Sequence, residues 1–122
     1  MSKVEELVKN WENIHFVAYL YICIGKSDYS LVDEEITEII DKLKEKMPNS
    51  DTENAYEKAL KVYNMQSDTE IISFIKLHTN DFFNTEDDRK KVLQDLEDIM
   101  EADGIIKDVE MIMYRFIKKT LA

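Results

Sequence analysis

The sequence predicts an all-α protein: a compact bundle of about six helices, built from two related helical hairpins. Three observations carry this. The 122 residues include only two Gly and one Pro, and Val, Ile and Thr do not alternate with polar residues. Apolar residues instead recur at helical spacing through six segments. Finally, one stretch near the end, Ala102-Asp103-Gly104-Ile105-Ile106-Lys107-Asp108-Val109-Glu110, has a weaker upstream copy in Ser27-Asp28-Tyr29-Ser30-Leu31-Val32-Asp33-Glu34-Glu35. Each copy places an Asp seven residues before a Glu, with an aliphatic residue three after the Asp (Leu31, Ile106). Each lies between two helical patterns, and the interval between copies is 75 residues (Asp28 to Asp103, Glu35 to Glu110). That is an internal repeat.

The first segment is expected to run as one helix from about Ser2 to Ile24. Ser2 and Glu5 have capping-box spacing. Val4, Leu7, Val8, Trp11, Ile14, Ala18, Tyr21 and Ile22 form its stripe, and Phe16, Val17, Leu20 and Cys23 widen it. Its second half therefore reads as the buried central helix. His15, inside it, reads as a core or boundary imidazole, since no second His lies one turn away.

After a break at Gly25–Ser30, a second helix is expected from Leu31 to Met47. Ile36, Ile39, Ile40, Leu43 and Met47 share one face. Its acids come early (Asp33, Glu34, Glu35) and its lysines late (Lys42, Lys44, Lys46), as the helix dipole favours, and Pro48 stops it. A third helix is expected from Ser50, with Glu53 completing a capping box, to Asn64. A fourth begins at Ser67 with Glu70; Ile71, Phe74, Ile75, His78 and Phe82 make its stripe, and His78 reads as a packed or rim histidine. Asn80–Asn84 is expected to be a connection, after which Thr85 caps a fifth helix with core residues Val92, Leu93, Leu96, Ile99 and Met100. A sixth, Asp108 to Leu121, places Val109, Ile112, Met113, Phe116, Ile117 and Leu121 on one face.

No linker divides the chain, so residues 1–122 are expected to form one domain, long enough to bury roughly two-thirds of its surface. Hydrophobic content of 44% excludes a disordered chain. Sixteen basic against 26 acidic residues give a net charge of −10. A surface of that sign repels phosphate backbones and anionic lipid, which argues against nucleic-acid binding and favours cations or a basic protein partner. The single cysteine, Cys23, excludes an intrachain disulfide and a cysteine metal cluster, and in its apolar run reads as a small core residue. The longest apolar run, Phe16 to Ile24, falls short of the about 20 residues a bilayer requires. The N-terminal residues lack the order of a signal peptide. A cytoplasmic protein without membrane insertion is expected; the oligomeric state is not legible.

The repeat supplies the candidate site. An Asp at a hairpin tip closes one helix, and the Glu seven residues on lies in the first turn of the next. Two hairpins packed symmetrically would gather four carboxylates: Asp28, Glu35, Asp103 and Glu110. Oxygen-only clusters of this kind suit hard divalent cations such as Ca²⁺ or Mg²⁺. Glu101, Asp33, Glu34 and Asp108 stand nearby. The same residues also have a purely structural use, because an Asp before a helix caps its amides and a first-turn Glu is stabilised by the dipole. An EF-hand does not fit. With Gly104 at the invariant sixth position, the first ligand position falls on Ile99, which cannot ligate, and the upstream copy fits worse.

Ala102-Asp103-Gly104-Ile105-Ile106 followed by Glu110 resembles the hairpin motif of the tellurite-resistance TerB family and the wider TerB-like domains. Those domains carry two such Asp-Gly…Glu hairpins in an all-helical fold. The resemblance extends from about Trp11 to Leu121. The first copy departs from the family pattern, with Tyr29 where the family usually has Gly. The resemblance implies a bacterial cytoplasmic stress-response or tellurite-resistance-type protein that binds a divalent cation at the motif carboxylates.

Two other function classes bracket this one. A non-catalytic acidic helical adaptor or inhibitor of a basic protein partner would show an acidic or exposed aromatic patch, with Tyr19, Tyr29, Tyr56, Tyr63 and Phe83 as candidates. An enzyme is not expected. The sequence has no phosphate-cradling Gly loop, no Ser/Cys–His–acid arrangement and no HExxH, and paired carboxylates do acid–base work only in a cleft.

Overall fold

The structure, a computed structural model, describes residues 3–26, 33–101 and 108–122, the first three residues of the second span by backbone alone. Among the described residues the chain forms seven helices and no strand: α1 (Lys3–Val8), α2 (Asn13–Gly25), α3 (Asp33–Lys46), α4 (Thr52–Asn64), α5 (Asp68–Phe82), α6 (Glu86–Glu101) and α7 (Asp108–Leu121).

The seventh helix arises because the first expected segment is two. Between α1 and α2 the Trp11 N–H turns back to the Val8 carbonyl at 3.0 Å. Glu12 is extended (φ −104°, ψ 176°) and stands as the N-cap of α2. The Glu12 N–H donates to Nδ1 of His15 at 3.0 Å. The imidazole thus takes the place that a Glu or Gln holds in an ordinary capping box. Leaving the helix lets Trp11 stack on His15 (centroids 5.8 Å apart, planes at 18°) and meet Phe74 edge-on. His15 is therefore a helix cap in addition to a boundary residue.

α2 is the axis of the fold. Every residue from Phe16 to Ile24 is fully buried. A helix apolar on all sides has to be enclosed, and α3, α4, α5, α6 and α7 all pack on it. The amphipathic helices around it each present a stripe: Ile39 and Leu43 from α3, Ala55, Ala59 and Val62 from α4, Ile71, Phe74 and Ile75 from α5, Val92, Leu96 and Ile99 from α6.

The remaining boundaries follow local chemistry. α3 ends two residues before Pro48. The α4 cap is Asp51, accepting from the Asn54 N–H at 3.0 Å, one residue later than the expected Ser50; a carboxylate at this place caps as well as a hydroxyl. Ser67 and Glu70 form the expected reciprocal box at the start of α5, and Thr85 Oγ1 accepts from the Asp88 N–H before α6. The expected Asn80–Asn84 connection is shorter, because α5 runs to Phe82 and buries Phe83 at its end. Arg89 secures this corner. Its guanidinium donates to the carbonyls of Phe83 and Leu121 and to Asn80 Oδ1, so one side chain serves the C-terminal ends of α5 and α7. The Ser2–Glu5 box falls on Ser2, outside the described residues.

The two hairpins, α2–α3 and α6–α7, share one register. α3 begins at Asp33 and α7 at Asp108, again 75 residues apart. Val17 and Val92, Tyr21 and Leu96, Ile24 and Ile99, and Ile39 and Tyr114 are buried pairs at the same interval. The packing has the matching pattern. The equivalent helices α2 and α6 touch each other, and the crosswise pairs α2–α7 and α3–α6 both occur. Two hairpins related by an approximate two-fold produce this set. α4 and α5 fill the middle of the chain, α4 lying on α2 and α3, and α5 on α2 and α7.

The α2 cap is pH-dependent. Burial, aided by the Lys58 charge, lowers the His15 pKa below its ordinary 6.5, against the opposing pull of Glu12. The neutral imidazole is the cap, so its contribution is fully present above about pH 6.5 and is lost as pH falls through the depressed folded value. His15→Gln keeps an acceptor at this position without a titrating ring. The wild-type protein should lose melting temperature relative to His15→Gln between pH 7 and pH 5. The cap is worth about 1 kcal/mol. Parallel melting curves for the two proteins across that range would show that the ring does not carry the cap.

Candidate functional site

The hairpin tips are where the sequence places the four carboxylates. Asp28 and Asp103 lie outside the described residues, as do the other tip residues 27–32 and 102–107. Glu35 is the third residue of α3, and nothing of its side chain is described. Glu110 is the third residue of α7, and its side chain is buried. The two Glu positions are thus equivalent in their helices. The gathering of all four carboxylates rests on residues outside the described ones. Among the described residues, no three His, Cys, Asp or Glu side chains come together in a way that could hold a metal ion.

Glu110 is unusual for its place in a helix. Glu5, Glu6, Glu53, Asp68, Glu70, Glu86, Asp87, Asp88 and Asp108 all occupy first turns, and all are exposed. The dipole acts on each of them in solvent and does not require burial. Glu110 is only 2% exposed. Enclosing an ionised carboxylate is costly unless strong donors or a cation compensate.

Polar side chains join the two hairpins through Tyr21 and Lys42, and a third contact, at Tyr114, ties α7 to α6 within the second hairpin. Tyr21 on α2 donates to Oδ2 of the buried Asp95 on α6 at 2.6 Å. Burial, then the bond to Asp95, and beyond it the charges of Glu45 and Asp98, push the Tyr21 hydroxyl far above the ordinary phenol range. Lys42 on α3 reaches Asp98 on α6 at 2.9 Å, and Glu38 and Glu45 flank it. The Asp98 bond is the main cause of a raised Lys42 pKa. Lys46, one turn on, has its pKa lowered by burial, partly offset by Asp95. Tyr114 on α7 donates to Glu97 Oε1 on α6 at 2.8 Å, and burial with that bond pushes its hydroxyl up to about 12.

Sequence reasoning missed these acids, although one signal was present. Asp95 lies three residues after Val92 and four before Ile99, on the apolar stripe of α6. A carboxylate there has to be received by a donor across the interface. Glu97 and Asp98, to either side of the stripe, give no such signal.

The other sequence candidates resolve simply. His78 is a rim histidine: Nδ1 lies 3.1 Å from Asp81 Oδ2 and the ring rests 4.5 Å from Phe74. Cys23 is fully buried, and burial pushes its thiol up, away from the reactive thiolate. Of the aromatic residues that would serve an adaptor surface if exposed, Tyr19, Tyr56 and Phe83 are buried and Tyr63 is half-buried; Tyr29 lies outside the described residues. The apolar surface is aliphatic and elsewhere. Val109 is 43% exposed and Ile112 66% exposed, although the periodicity of α7 assigned both to the core face. α7 has two apolar stripes, and Tyr114, Ile117 and Leu121 on the other one are what it buries.

No protein-family model, curated protein or solved structure matches the chain. No helix among the described residues is long and apolar enough to cross a membrane.

The Tyr21–Asp95 bond has a measurable consequence. Tyr21→Phe removes the donor and leaves Asp95 enclosed, at an expected cost of about 1–3 kcal/mol in urea unfolding. Adding Asp95→Leu should restore much of the loss, because an interface with neither partner carries no stranded polar group. A Tyr21→Phe variant as stable as wild type would show that other donors alone satisfy Asp95.

Proposed function

We propose that the protein is a TerB-like, stress-response-type module that binds a divalent cation, Ca²⁺ or Mg²⁺, through Asp28, Glu35, Asp103 and Glu110 at its two hairpins. The observation that carries this reading is the burial of Glu110, alone among the described first-turn acids. The shared register of α3 and α7 supports it, because it gives Glu35 the same place in its helix that Glu110 has. In this reading the protein is not an enzyme. The carboxylates are ligands, and their occupancy changes the stability of the hairpin tips. A cation adds the free energy of its own binding to folding, so an ion at 100 times its Kd would stabilise by about 2.7 kcal/mol.

The test is calorimetric titration of metal-stripped protein with Ca²⁺, Mg²⁺ and Zn²⁺, beside the Asp103→Asn/Glu110→Gln double variant. Saturable binding of a hard ion is expected in the wild type and not in the variant, with a melting temperature that rises with ion and falls with chelator. No heat at millimolar ion and no effect of chelator would leave these residues as helix caps and end the cation reading.

A further inference from the structure

The second stripe of α7 forms a wall. Val109, Ile112, Met113 and Phe116 follow one another at i, i+3, i+4 and i+7, and with Ile71 and Ile72 of α5 and Tyr63 of α4 they line an open groove of about 310 Å³. Ile72, Val109 and Ile112 are each more than a third exposed. The single charged residue in the lining is Asp68. A turn before Ile112, Asp108 adds a second exposed acid at the start of α7. At the other end the Lys76 ammonium lies 5.8 Å from the Phe116 ring centre, turned onto the aromatic face.

We infer that this groove is a docking site for a basic amphipathic helix of a partner protein. The apolar lining selects the occupant's own stripe, as in helix-in-groove recognition. Val109 to Phe116 spans about 10 Å, two turns, so two or three anchor side chains of the partner fill it. Charge decides the rest. The one charged residue of the lining, Asp68, is acidic and Asp108 adds a second acid, whereas Lys76 sits by Phe116, so the occupant's basic residues belong beside the two acids. The chain as a whole carries −10. An acidic helix, or a second copy of this chain, would bring like charge to the groove, whereas Lys or Arg beside the anchors would meet Asp68 and Asp108 and gain on-rate from the whole surface. The inference does not depend on cation binding at the hairpin tips.

The experiment is selection from a displayed library of randomised peptides of about 16 residues, long enough for four helical turns. Wild-type protein is the bait and Ile112→Glu the counter-bait. Ile112 is largely solvent-exposed, so the variant should melt with wild type, and this is checked first; Val109→Asp serves as a second counter-bait. The expected winners carry apolar residues at i, i+3, i+4 and i+7 with Lys or Arg beside them. Synthesised, they should bind wild type at least about tenfold tighter than Ile112→Glu. They should also lose affinity with salt and with Asp68→Lys. No enrichment over the counter-baits, or winners that are acidic or lack the stripe, overturns the proposal. So does a wild-type dimer in sedimentation that Ile112→Glu dissolves, since the groove would then belong to a second copy.

Discussion

The enclosure of α2 governs the rest of the molecule. Nine consecutive residues, Phe16 to Ile24, have no exposure at all. Their backbone amides are satisfied within the helix, so the demand on the surroundings falls on side chains. Apolar ones require neighbours on every side, which five helices provide. Polar ones require partners, which the surrounding helices supply singly. Tyr21 finds Asp95 on α6, and Tyr19 donates to Gln66 just after α4. Each such bond fixes the rotation of the helix it reaches, because a buried hydroxyl without its acceptor would cost about as much as a lost methyl group or two. The same burial makes Cys23 inert and sets Trp11 and His15 to close the open end of the helix.

This central helix also explains why the repeat is unequal. α2 and α6 occupy equivalent places in their hairpins, and their buried positions coincide over Val17/Val92, Tyr21/Leu96 and Ile24/Ile99. Between those positions they diverge. α2 is enclosed all round and carries Leu20 and Cys23, where α6 carries Asp95 and Asp98. α6 faces solvent on its outer side, so it can bear acids that pair with α2 and α3 across the hairpin interface. A symmetry of packing is thus compatible with a strong asymmetry of charge, and the asymmetry holds the hairpins together: Asp95 receives Tyr21, and Asp98 receives Lys42.

Much of this was legible in the sequence, because helical period, caps and terminators act over a few residues. The Ser67–Glu70 box, the Thr85 cap and the end of α3 before Pro48 are local events and were read correctly. What was not legible depended on long-range packing or on unusual chemistry. The break before α2 uses an imidazole as the capping acceptor, which no common capping pattern includes, and the run of apolar residues across it hid the interruption. On α7 the core face was read correctly for Ile117 and Leu121 and wrongly for the exposed Val109 and Ile112, because periodicity shows which residues share a face and not how much of it is covered. Asp95 stood on the α6 stripe and still went unread, since its partner lies 74 residues away. The candidate site divides along the same line. The motif named Glu110, and its burial became visible only with the fold; its companions Asp28 and Asp103 lie outside the described residues.

α7 joins the two proposed surfaces and also separates them. Successive residues on a helix point about 100° apart. Glu110 therefore turns into the bundle while Val109 beside it turns out to the groove, and Ile112, two residues further, projects roughly opposite Glu110. Tyr114, Ile117 and Leu121 hold this rotation by their burial, and the Tyr114–Glu97 bond fixes it against α6. A turn of α7 large enough to bring Glu110 to solvent would have to strip these contacts and drive Val109 inward. The helix therefore has one rotation compatible with its core. In that rotation the carboxylate and the aliphatic wall are committed to different sides, so a substitution at Ile112 reaches the groove without touching the hairpin tip. Neutralising Glu110 acts on the tip and leaves the groove's lining residues in place.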